Sequence, residues 1–178
     1  RFEGLTKQQL LQPLRLNKLP NRSRQLTQFR QLHDIPGLVT DGKTYGIPYT
    51  FSEMGLIYNR KLLSTPPDSL SSLWDPHLQG QVLAYDGSSH NFSLARLALG
   101  KPPFAIPSAE LAESIDKLVA LRRNVLTFYS LPEESVALFT QNKVALLYAN
   151  YGRQQFKLLQ DAGADVGYVI PREGALAW

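Results

Sequence analysis

The sequence contains no cysteine, one methionine and two tryptophans among its 178 residues. The absence of cysteine excludes disulfides, thiolate metal sites and thiol catalysis. It fits an oxidising compartment, although proteins of the reducing cytosol can lack cysteine as well. No apolar run is long enough to span a membrane, and no signal peptide is recognisable at Arg1. If the protein is exported, we expect this sequence to be a mature chain or a piece of one, and its abrupt ends favour a piece.

The sequence also has little net charge, since 19 Lys and Arg residues oppose 15 Asp and Glu residues, giving +4. Basic residues are concentrated only in the first thirty positions, where Phe2 and Phe29 are the only aromatic residues. A nucleic-acid-binding surface needs basic residues on one face, interleaved with aromatic side chains. We therefore expect a solvated, slightly basic surface and no nucleic-acid partner.

Catalytic signatures are missing too. His33, His77 and His90 do not have the spacing of metal ligands, and neither a nucleophile elbow nor a phosphate-binding Walker loop occurs. We predict no metal, no cofactor and no enzymatic activity.

What the sequence does contain is an alternation of short apolar runs and amphipathic segments, with 43% hydrophobic residues to build a core. Asp68 and Ser108 are predicted helix caps, and Gly100 and Gly163 are predicted helix ends. Such alternation indicates an α/β fold. A helical pattern in residues 2–14 is broken by Pro13; beyond it we predict strands at 46–49, 55–59, 81–85, 143–148 and 166–170, and helices at 69–73, 88–99, 109–123, 133–141 and 151–162.

Several short motifs in a fixed order resemble extracytoplasmic solute-binding proteins of the two-lobed type, most closely the spermidine/putrescine-binding branch. The resemblance covers nearly the whole chain and implies a type II periplasmic-binding-protein-like (Venus flytrap) α/β fold, with one complete lobe and part of a second. Residues 1–54 would form the partial first lobe and a crossing segment, 55–170 the second lobe, and 171–178 the return crossing. The motifs are Gly46-Ile47-Pro48-Tyr49 with Leu56-Ile57-Tyr58-Asn59, Ser72-Leu73-Trp74-Asp75-Pro76, Gly80-Gln81-Val82, and Pro171-Arg172-Glu173-Gly174 with Trp178.

The resemblance implies a ligand pocket with aromatic walls, which fall on Phe51, Tyr148 and Trp178 in this sequence. Aromatic faces attract ammonium groups and pack against methylenes. Phe51 and Tyr148 could instead be ordinary core residues.

The loop Tyr85-Asp86-Gly87-Ser88-Ser89-His90 departs from the polyamine-binding pattern. The family's acidic positions fall on Gly87 and His90, which leaves Asp86 as the nearby acid. Ser88 and Ser89 at a helix start favour an anion such as a carboxylate, so an amino acid or another zwitterion would suit both this loop and the aromatic wall.

Each polar candidate has a structural alternative. Ser88 and Ser89 could be ordinary N-caps, and Asp86 could close an Asx turn with Gly87. His90 could be a pocket donor, a pH-sensitive contact or a surface residue. Glu53 could meet a ligand amine or face solvent on the crossing segment.

We therefore expect a domain on the periplasmic or extracellular side of the membrane that captures a small cationic or zwitterionic metabolite, polyamine or amino-acid-like, by hinge closure. Its partner would be the membrane permease of an ABC transporter. The alternative is the ligand-sensing input domain of a membrane signalling protein, such as a histidine kinase or a diguanylate cyclase.

Overall fold

The computed structural model describes residues 2–35, 37–104 and 106–176. The chain divides into two compact units, one up to Phe51 and the other from Ser52 onward. None of the helices in these three ranges is long and apolar enough to cross a membrane.

The first unit is built mainly from short turns. Helix α1 (Phe2–Lys7) is followed by the 3-10 helices Leu16–Lys18, Pro20–Arg24, Thr27–Phe29 and Leu32–Asp34. Strands β1 (Val39–Thr40) and β2 (Lys43–Thr44) then form an antiparallel hairpin. Its two turn residues, Asp41 and Gly42, both have positive φ, 49° and 71°, which is the geometry of a type I′ turn.

The strand predicted at residues 46–49 is absent, and that prediction is wrong. Pro48 has no N–H to donate to a strand ladder, and its carbonyl accepts a hydrogen bond from the Gln25 side chain at 3.1 Å. Tyr49 is 99% exposed, so no neighbouring strand covers it. The Asp41-Gly42 dipeptide was the hairpin signal, and the sequence-based prediction missed it.

The second unit is a three-layer α/β structure. Its strands are β3 (Gly55–Asn59), β4 (Val82–Tyr85), β5 (Thr127–Tyr129), β6 (Leu146–Ala149) and β7 (Val166–Val169). Its helices are α2 (Ser88–Ala98), α3 (Leu111–Asn124), α4 (Pro132–Gln141) and α5 (Gly152–Asp161), with 3-10 helices at Leu70–Trp74, Pro76–Leu78 and Ser108–Glu110. Every strand predicted from residue 55 onward is present: β3 has the predicted bounds 55–59, β4 and β7 are each one residue shorter, and β6 begins three residues later and ends one residue later than predicted. β5 was not predicted.

The five strands form one mixed sheet in the order β5-β4-β6-β3-β7. β4 pairs in parallel with β5 and β6, whereas β3 runs antiparallel to β6 and β7. The carboxyl ends of β4, β5, β6 and β7 therefore meet the start of β3 at one edge of the sheet. We call this edge the loop edge, because the connections to α2, α4 and α5 leave from it.

Alternating side chains of the strands feed two apolar cores, one on each face of the sheet. Leu56, Ala84 and Tyr148 face the core that includes Leu94 of α2 and Leu121 of α3. The opposite core is formed by a second set of buried residues, among them Ile57, Leu83, Leu147, Phe139 of α4 and Leu159 of α5. Helices on both faces explain why the central strands are continuously apolar.

Two predicted helix caps are wrong. Ser69, rather than Asp68, caps the 3-10 helix Leu70–Trp74, because its side chain accepts a hydrogen bond from the Ser71 N–H. Ser108 opens a 3-10 helix and gives no side-chain cap, so α3 begins only at Leu111. The predicted helix ends at Gly100 and Gly163 are confirmed by positive φ values of 69° and 80°, which glycine adopts without strain.

Candidate functional site

The loop edge of the second unit brings together most of the polar residues that the sequence singled out. Tyr85 is the last residue of β4, and Asp86 and Gly87 connect it to α2. Ser88, Ser89 and His90 form the first turn of that helix. Because β4 lies between β5 and β6, this loop leaves from the middle of the parallel part of the sheet, which is where open α/β sheets bind ligands.

Tyr85 packs between two other rings at this edge. Its ring centroid lies 5.6 Å from that of His90 in an edge-on arrangement and 5.9 Å from that of Tyr129. The ring also passes close to the backbone of Gly87, where a Cβ would lie 2.4 Å from Tyr85 Cε1 and 3.0 Å from His90 Nδ1. Glycine at position 87 is therefore required by these neighbours, since its φ of −132° is open to any residue.

Ser88 and Ser89 are exposed, and neither acts as the N-cap of α2. The N-cap is Gly87, which makes no side-chain cap hydrogen bond. The alternative that these serines are ordinary caps is therefore wrong. They lie in the first turn of α2, whose first N–H groups have no partner within the helix itself.

Asp86 is exposed, and its side chain makes no hydrogen bond or ion pair with the described part of the chain. Its backbone N–H donates to the carbonyl of Tyr129 at 2.8 Å, which fixes the loop to β5. The Gly87 N–H donates to the Tyr85 carbonyl at 3.1 Å and not to the Asp86 carboxylate. An Asx turn would need the Asp86 carboxylate to accept from the N–H two residues on, that of Ser88, and the described residues show no such hydrogen bond, so the Asx-turn alternative is wrong.

A buried network of hydrogen-bonded polar groups joins β5 and β6 to α4 and α5, and no motif in the sequence predicts it. The Tyr129 hydroxyl donates to the carbonyl of Tyr148 at 2.9 Å and accepts from the Asn150 N–H at 3.1 Å. The Gln155 side chain accepts from the Tyr151 N–H at 2.8 Å and donates to Ser135 Oγ at 2.7 Å. Burial raises the pKa of the Tyr129 hydroxyl, so it remains a neutral donor. The network holds the ends of β5 and β6 and the starts of α4 and α5 in one rigid arrangement.

Glu53 lies just before β3 and is held by three neighbours. Its carboxylate accepts from Arg153 Nε at 3.1 Å and from the Tyr168 hydroxyl at 3.3 Å, and its carbonyl accepts from the Gly152 N–H at 3.1 Å. The Tyr168 hydroxyl occupies the space beside Gly55 and Gly152, 2.6 Å and 2.5 Å from where their Cβ atoms would stand. Desolvation and the adjacent Glu53 carboxylate raise the pKa of Tyr168. Glu53 therefore fastens the segment before β3 to α5 and β7.

The comparisons with known proteins agree with this architecture. The sequence model described as bacterial extracellular solute-binding protein matches residues 2–178, almost the whole chain. The chain belongs to this family.

Individual members resemble the chain at low sequence identity. Spermidine/putrescine-binding periplasmic protein 1 of Haemophilus influenzae is 24% identical over 138 residues, which are 77% of this chain and 37% of that protein. The solved structure of a putative spermidine/putrescine ABC transporter from Listeria monocytogenes is 27% identical with a TM-score of 0.81, covering 99% of this chain and 52% of that one. The substrate-binding protein PotD from Streptococcus pneumoniae gives 22% identity and a TM-score of 0.75 over the same shares.

These matches confirm the predicted α/β fold of the periplasmic-binding-protein type and the resemblance to the spermidine/putrescine-binding branch. This chain spans about half the length of the matched solved structures and 37% of the length of the curated relative. The family is one of solute-binding transport proteins and not of enzymes.

Tyr148, which was predicted to line the ligand pocket, lies in the apolar core instead. Tyr148 is only 1% exposed and packs in the apolar core between the sheet and α2, where its hydroxyl lies 3.6 Å from Met54 Sδ. The prediction that its ring faces a ligand is therefore wrong, and the core alternative holds. Tyr148 pairs with Leu56 across β6 and β3, so its side chain must point to the same face as that strand neighbour.

The other two aromatic candidates, Phe51 and Trp178, do not belong to the described part of the second unit. Phe51 belongs to the first unit, where it is 46% exposed and its ring centroid lies 5.1 Å from that of Phe29. Phe51 and Phe29 line an open groove of about 320 Å³ together with neighbouring residues of the same unit, including Arg24 and Pro48. Trp178 lies outside the described residues.

Proposed function

We propose that this chain is part of an extracytoplasmic solute-binding protein that captures a small cationic or zwitterionic metabolite, polyamine or amino-acid-like, for uptake by an ABC transporter. The match of the family model to residues 2–178 carries this proposal. The names of the relatives support it, since they describe spermidine/putrescine-binding and ABC-transporter proteins. The protein would act on the periplasmic or extracellular side and deliver its ligand to a membrane permease.

The geometry of the loop edge supports a binding role rather than a catalytic one. Tyr85 offers a partly exposed ring, Asp86 an exposed carboxylate, and Ser88 and Ser89 two exposed hydroxyl groups. These groups can hold an ammonium group and hydrogen-bonding groups of a ligand. We assign ligand contacts to these four residues and to His90, and no catalytic role to any residue of the chain.

Hinge closure is the proposed mechanism. Residues 1–54 would supply part of one lobe and the crossing segment, residues 55–170 the other lobe, and residues 171–178 the return crossing. A ligand that binds the closed form more tightly than the open form shifts the equilibrium toward closure. Phe51 and Trp178 are proposed to add aromatic contacts, whereas Glu53 is proposed to hold the crossing segment through Arg153 and Tyr168.

A sensory input domain is not favoured, because the matched relatives are transport proteins. Transport and sensing make different demands on the protein. A transport protein should stimulate ATP hydrolysis by its permease in proteoliposomes when loaded with ligand. A protein that leaves ATP hydrolysis unchanged but alters the activity of a signalling domain on the same polypeptide would contradict the transport proposal.

Ligand capture itself is tested by thermal shift on the intact protein with polyamines, amino acids and small carboxylates. A ligand present at a hundred times its Kd stabilises the folded state by about 2.7 kcal/mol, which is a readily measured rise in melting temperature. We expect at least one of these solutes to produce such a rise in a concentration-dependent manner. No shift with any solute, together with no small molecule released from the purified protein on denaturation, would contradict the proposal.

A further inference from the structure

The start of α2 narrows the class of ligand, and this inference rests on the proposed function. We propose that the first turn of α2 and the buried amide of Asn91 form a subsite for the head group of an α-amino acid, a carboxylate with an ammonium on the next carbon. The protein then prefers amines that carry such a carboxylate over amines that lack it. Asn91 was not among the site residues predicted from the sequence, because a single asparagine within an amphipathic helix is not a binding signal.

Asn91 is a buried polar residue without a protein partner. It is only 9% exposed, and its Oδ1 is enclosed without a hydrogen-bond donor. The rest of its side chain makes no hydrogen bond with the described part of the chain either. Buried polar side chains in native proteins are nearly always hydrogen-bonded, so this amide calls for a partner from outside the folded chain.

Buried amides elsewhere in the second unit do have protein partners. Asn124 donates to the Leu73 carbonyl at 2.8 Å, and Gln155 donates to Ser135 Oγ at 2.7 Å. These two side chains hold neighbouring elements together. Asn91 holds nothing in this way, which favours a role in binding over a role in packing.

The side chain of Asn91 is directed toward the loop edge. Leu94, three residues further on and therefore on the same face of α2, packs in the core against the sheet. The Cα–Cβ bonds of a helix tilt toward its N-terminus, so the Asn91 side chain lies over the preceding turn, at Gly87 and Ser88. The amide is therefore placed where α2 meets the loop edge.

The first turn of α2 supplies hydrogen-bond donors that are also unused. The Asn91 N–H makes the first bond of the helix, to the Gly87 carbonyl at 2.7 Å. The N–H groups of Ser88 and Ser89 donate to no residue in the described ranges, and both side chains are exposed. Free N–H groups and the positive end of the helix dipole together favour an anion at this position.

The head group of an α-amino acid matches these groups. Its carboxylate can accept hydrogen bonds from the N–H groups and hydroxyls of Ser88 and Ser89. The Asn91 amide offers a donor and an acceptor side by side, so its NH₂ group can donate to the carboxylate while its oxygen accepts from the adjacent ammonium. No protein hydrogen bond fixes this amide, so it can turn about its side-chain bonds to meet the ligand.

Two exposed carboxylates serve the cationic part of the ligand. Asp86 follows β4, and Glu133 lies in the first turn of α4. Neither has a hydrogen-bond or ion-pair partner among the described residues. They can pair with one ammonium group or with two, so the number of amines does not decide which ligand is preferred. The carboxylate decides it, because the donors of α2 and Asn91 replace the water that the carboxylate loses on binding.

The test is isothermal titration calorimetry of the intact protein with matched probes at one pH and ionic strength. Each pair is an amino acid and the amine that its decarboxylation gives: ornithine with putrescine, lysine with cadaverine, and glutamate with 4-aminobutyrate. The two members of a pair differ only in the α-carboxylate. We expect the amino acid that binds most tightly to exceed its own amine by at least about tenfold.

The outcomes separate this inference from the proposed function. Amines that bind as tightly as their amino acids, or more tightly, would overturn the α-amino-acid subsite and leave the proposed function intact. Binding by none of the six probes and not by spermidine would overturn the proposed function and this inference with it.

Asn91→Leu tests the amide directly. It should weaken binding of the preferred amino acid by about tenfold or more and change the affinity for the matched amine little. Its melting temperature should not fall, because the amide makes no protein hydrogen bond. Asn142→Leu is the control, since this exposed amide just after α4 donates only to the Leu138 carbonyl, at 2.9 Å, and the variant should bind both probes like the parent. Unchanged amino-acid affinity in Asn91→Leu would overturn the assignment and leave the amide as the partner of a buried water.

Proline at position 88 tests the backbone donor. Ser88 is the first residue of α2, where proline is tolerated and removes an N–H that the helix does not use. Ser88→Ala and Ser88→Pro both lack the hydroxyl, and only the proline variant lacks the N–H. Ser88→Pro should therefore bind the preferred amino acid about threefold or more weakly than Ser88→Ala. Equal affinities of the two folded variants, judged by circular dichroism melting curves, would overturn the placement of the carboxylate at the start of α2.

Discussion

The ring of Tyr85 occupies the space beside Gly87, where a Cβ would lie 2.4 Å from Tyr85 Cε1. In sequence, Asp86-Gly87 looks like a turn dipeptide, for which glycine would be needed to reach positive φ. The backbone of Gly87 is instead extended, with φ of −132°. Position 87 suits glycine because the Tyr85 ring, which packs against His90, fills the space that a Cβ would need. The absence of a side chain at position 87 therefore sets the position of Tyr85, one of the proposed ligand contacts.

Gly87→Ala should therefore disturb the site more than the fold. The new methyl group forces the Tyr85 ring away from its position against His90, and overpacking of this kind costs about 1–3 kcal/mol. We expect ligand affinity, measured by calorimetry on the intact protein, to fall by about tenfold or more. Gly4→Ala is the control, since a Cβ at Gly4 meets nothing within 4 Å. Equal affinities of the two variants would show that the position of the Tyr85 ring does not matter.

Tyr148→Ala should destabilise the second unit. The ring is 1% exposed in the core between the sheet and α2, so its removal leaves a large cavity. Truncation of a buried aromatic residue typically lowers the free energy of unfolding by about 3–5 kcal/mol, which we expect in urea denaturation. Tyr148→Phe keeps the ring and loses only the weak contact of the hydroxyl with Met54, so it should cost less than about 1 kcal/mol. A Tyr148→Ala variant that keeps the stability of the parent but binds ligand more weakly would show that the ring contacts the ligand and not the core.

The buried tyrosines predict a loss of stability at alkaline pH. Burial is the main cause that raises the pKa values of Tyr129, Tyr148 and Tyr168 above 10.0. A raised pKa in the folded state means that the unfolded chain ionises first, so the stabilisation is complete below pH 10 and is lost as the pH rises beyond it. The free energy of unfolding, measured by urea denaturation between about pH 8 and pH 11, should fall most steeply above about pH 10.

Tyr129→Phe separates this effect from general alkaline repulsion. The variant removes one ionisable hydroxyl together with the buried hydrogen bond that this hydroxyl accepts from the Asn150 N–H, so it should be less stable than the parent at neutral pH by about 1–3 kcal/mol. Its stability should also decline less above about pH 10 than that of the parent. Parallel declines in the two proteins would rule out Tyr129 as a source of the alkaline effect.

Much of the second unit could be predicted from the sequence, because its elements carry strong local signals. β4 is a short apolar run bounded by Asp86-Gly87, and α5 is amphipathic and ends before Gly163. β5 has no recognisable signal in the sequence, because its three residues begin only two residues after α3 and are too few to show alternation. The strand predicted at 46–49 does not form, although its aromatic and β-branched residues favour one, because Pro48 has no N–H to donate to a strand ladder.

The candidate site was predictable only in part. Asp86, Ser88 and Ser89 could be predicted to follow a buried strand, and the structure places them at the loop edge of the sheet. The sequence cannot show whether the Tyr148 ring faces a ligand pocket or the core, because Tyr148 lies on a strand that is apolar on both faces and shows no alternation. The Tyr129 network also lacks a sequence signature, since its members come from four separate elements.

Glu173 should make the second unit sensitive to acid. Burial alone raises the pKa of this carboxyl, but the hydrogen bonds from Ser69 and from the Leu70 N–H outweigh it and leave the pKa below its ordinary value. A lowered pKa in the folded state stabilises the protein above the pKa of the unfolded chain, and this stabilisation is lost as the pH falls through the folded value. Glu173→Gln should therefore lower the free energy of unfolding at neutral pH by about 1–3 kcal/mol and flatten its decline below about pH 5.

The control is Glu133→Gln, which changes an exposed acid in the first turn of α4. This variant should change neither the free energy of unfolding at neutral pH nor its decline in acid. If urea denaturation gives the same acid dependence for both variants, the Glu173 carboxylate does not fasten the segment after β7 to Ser69 and Leu70.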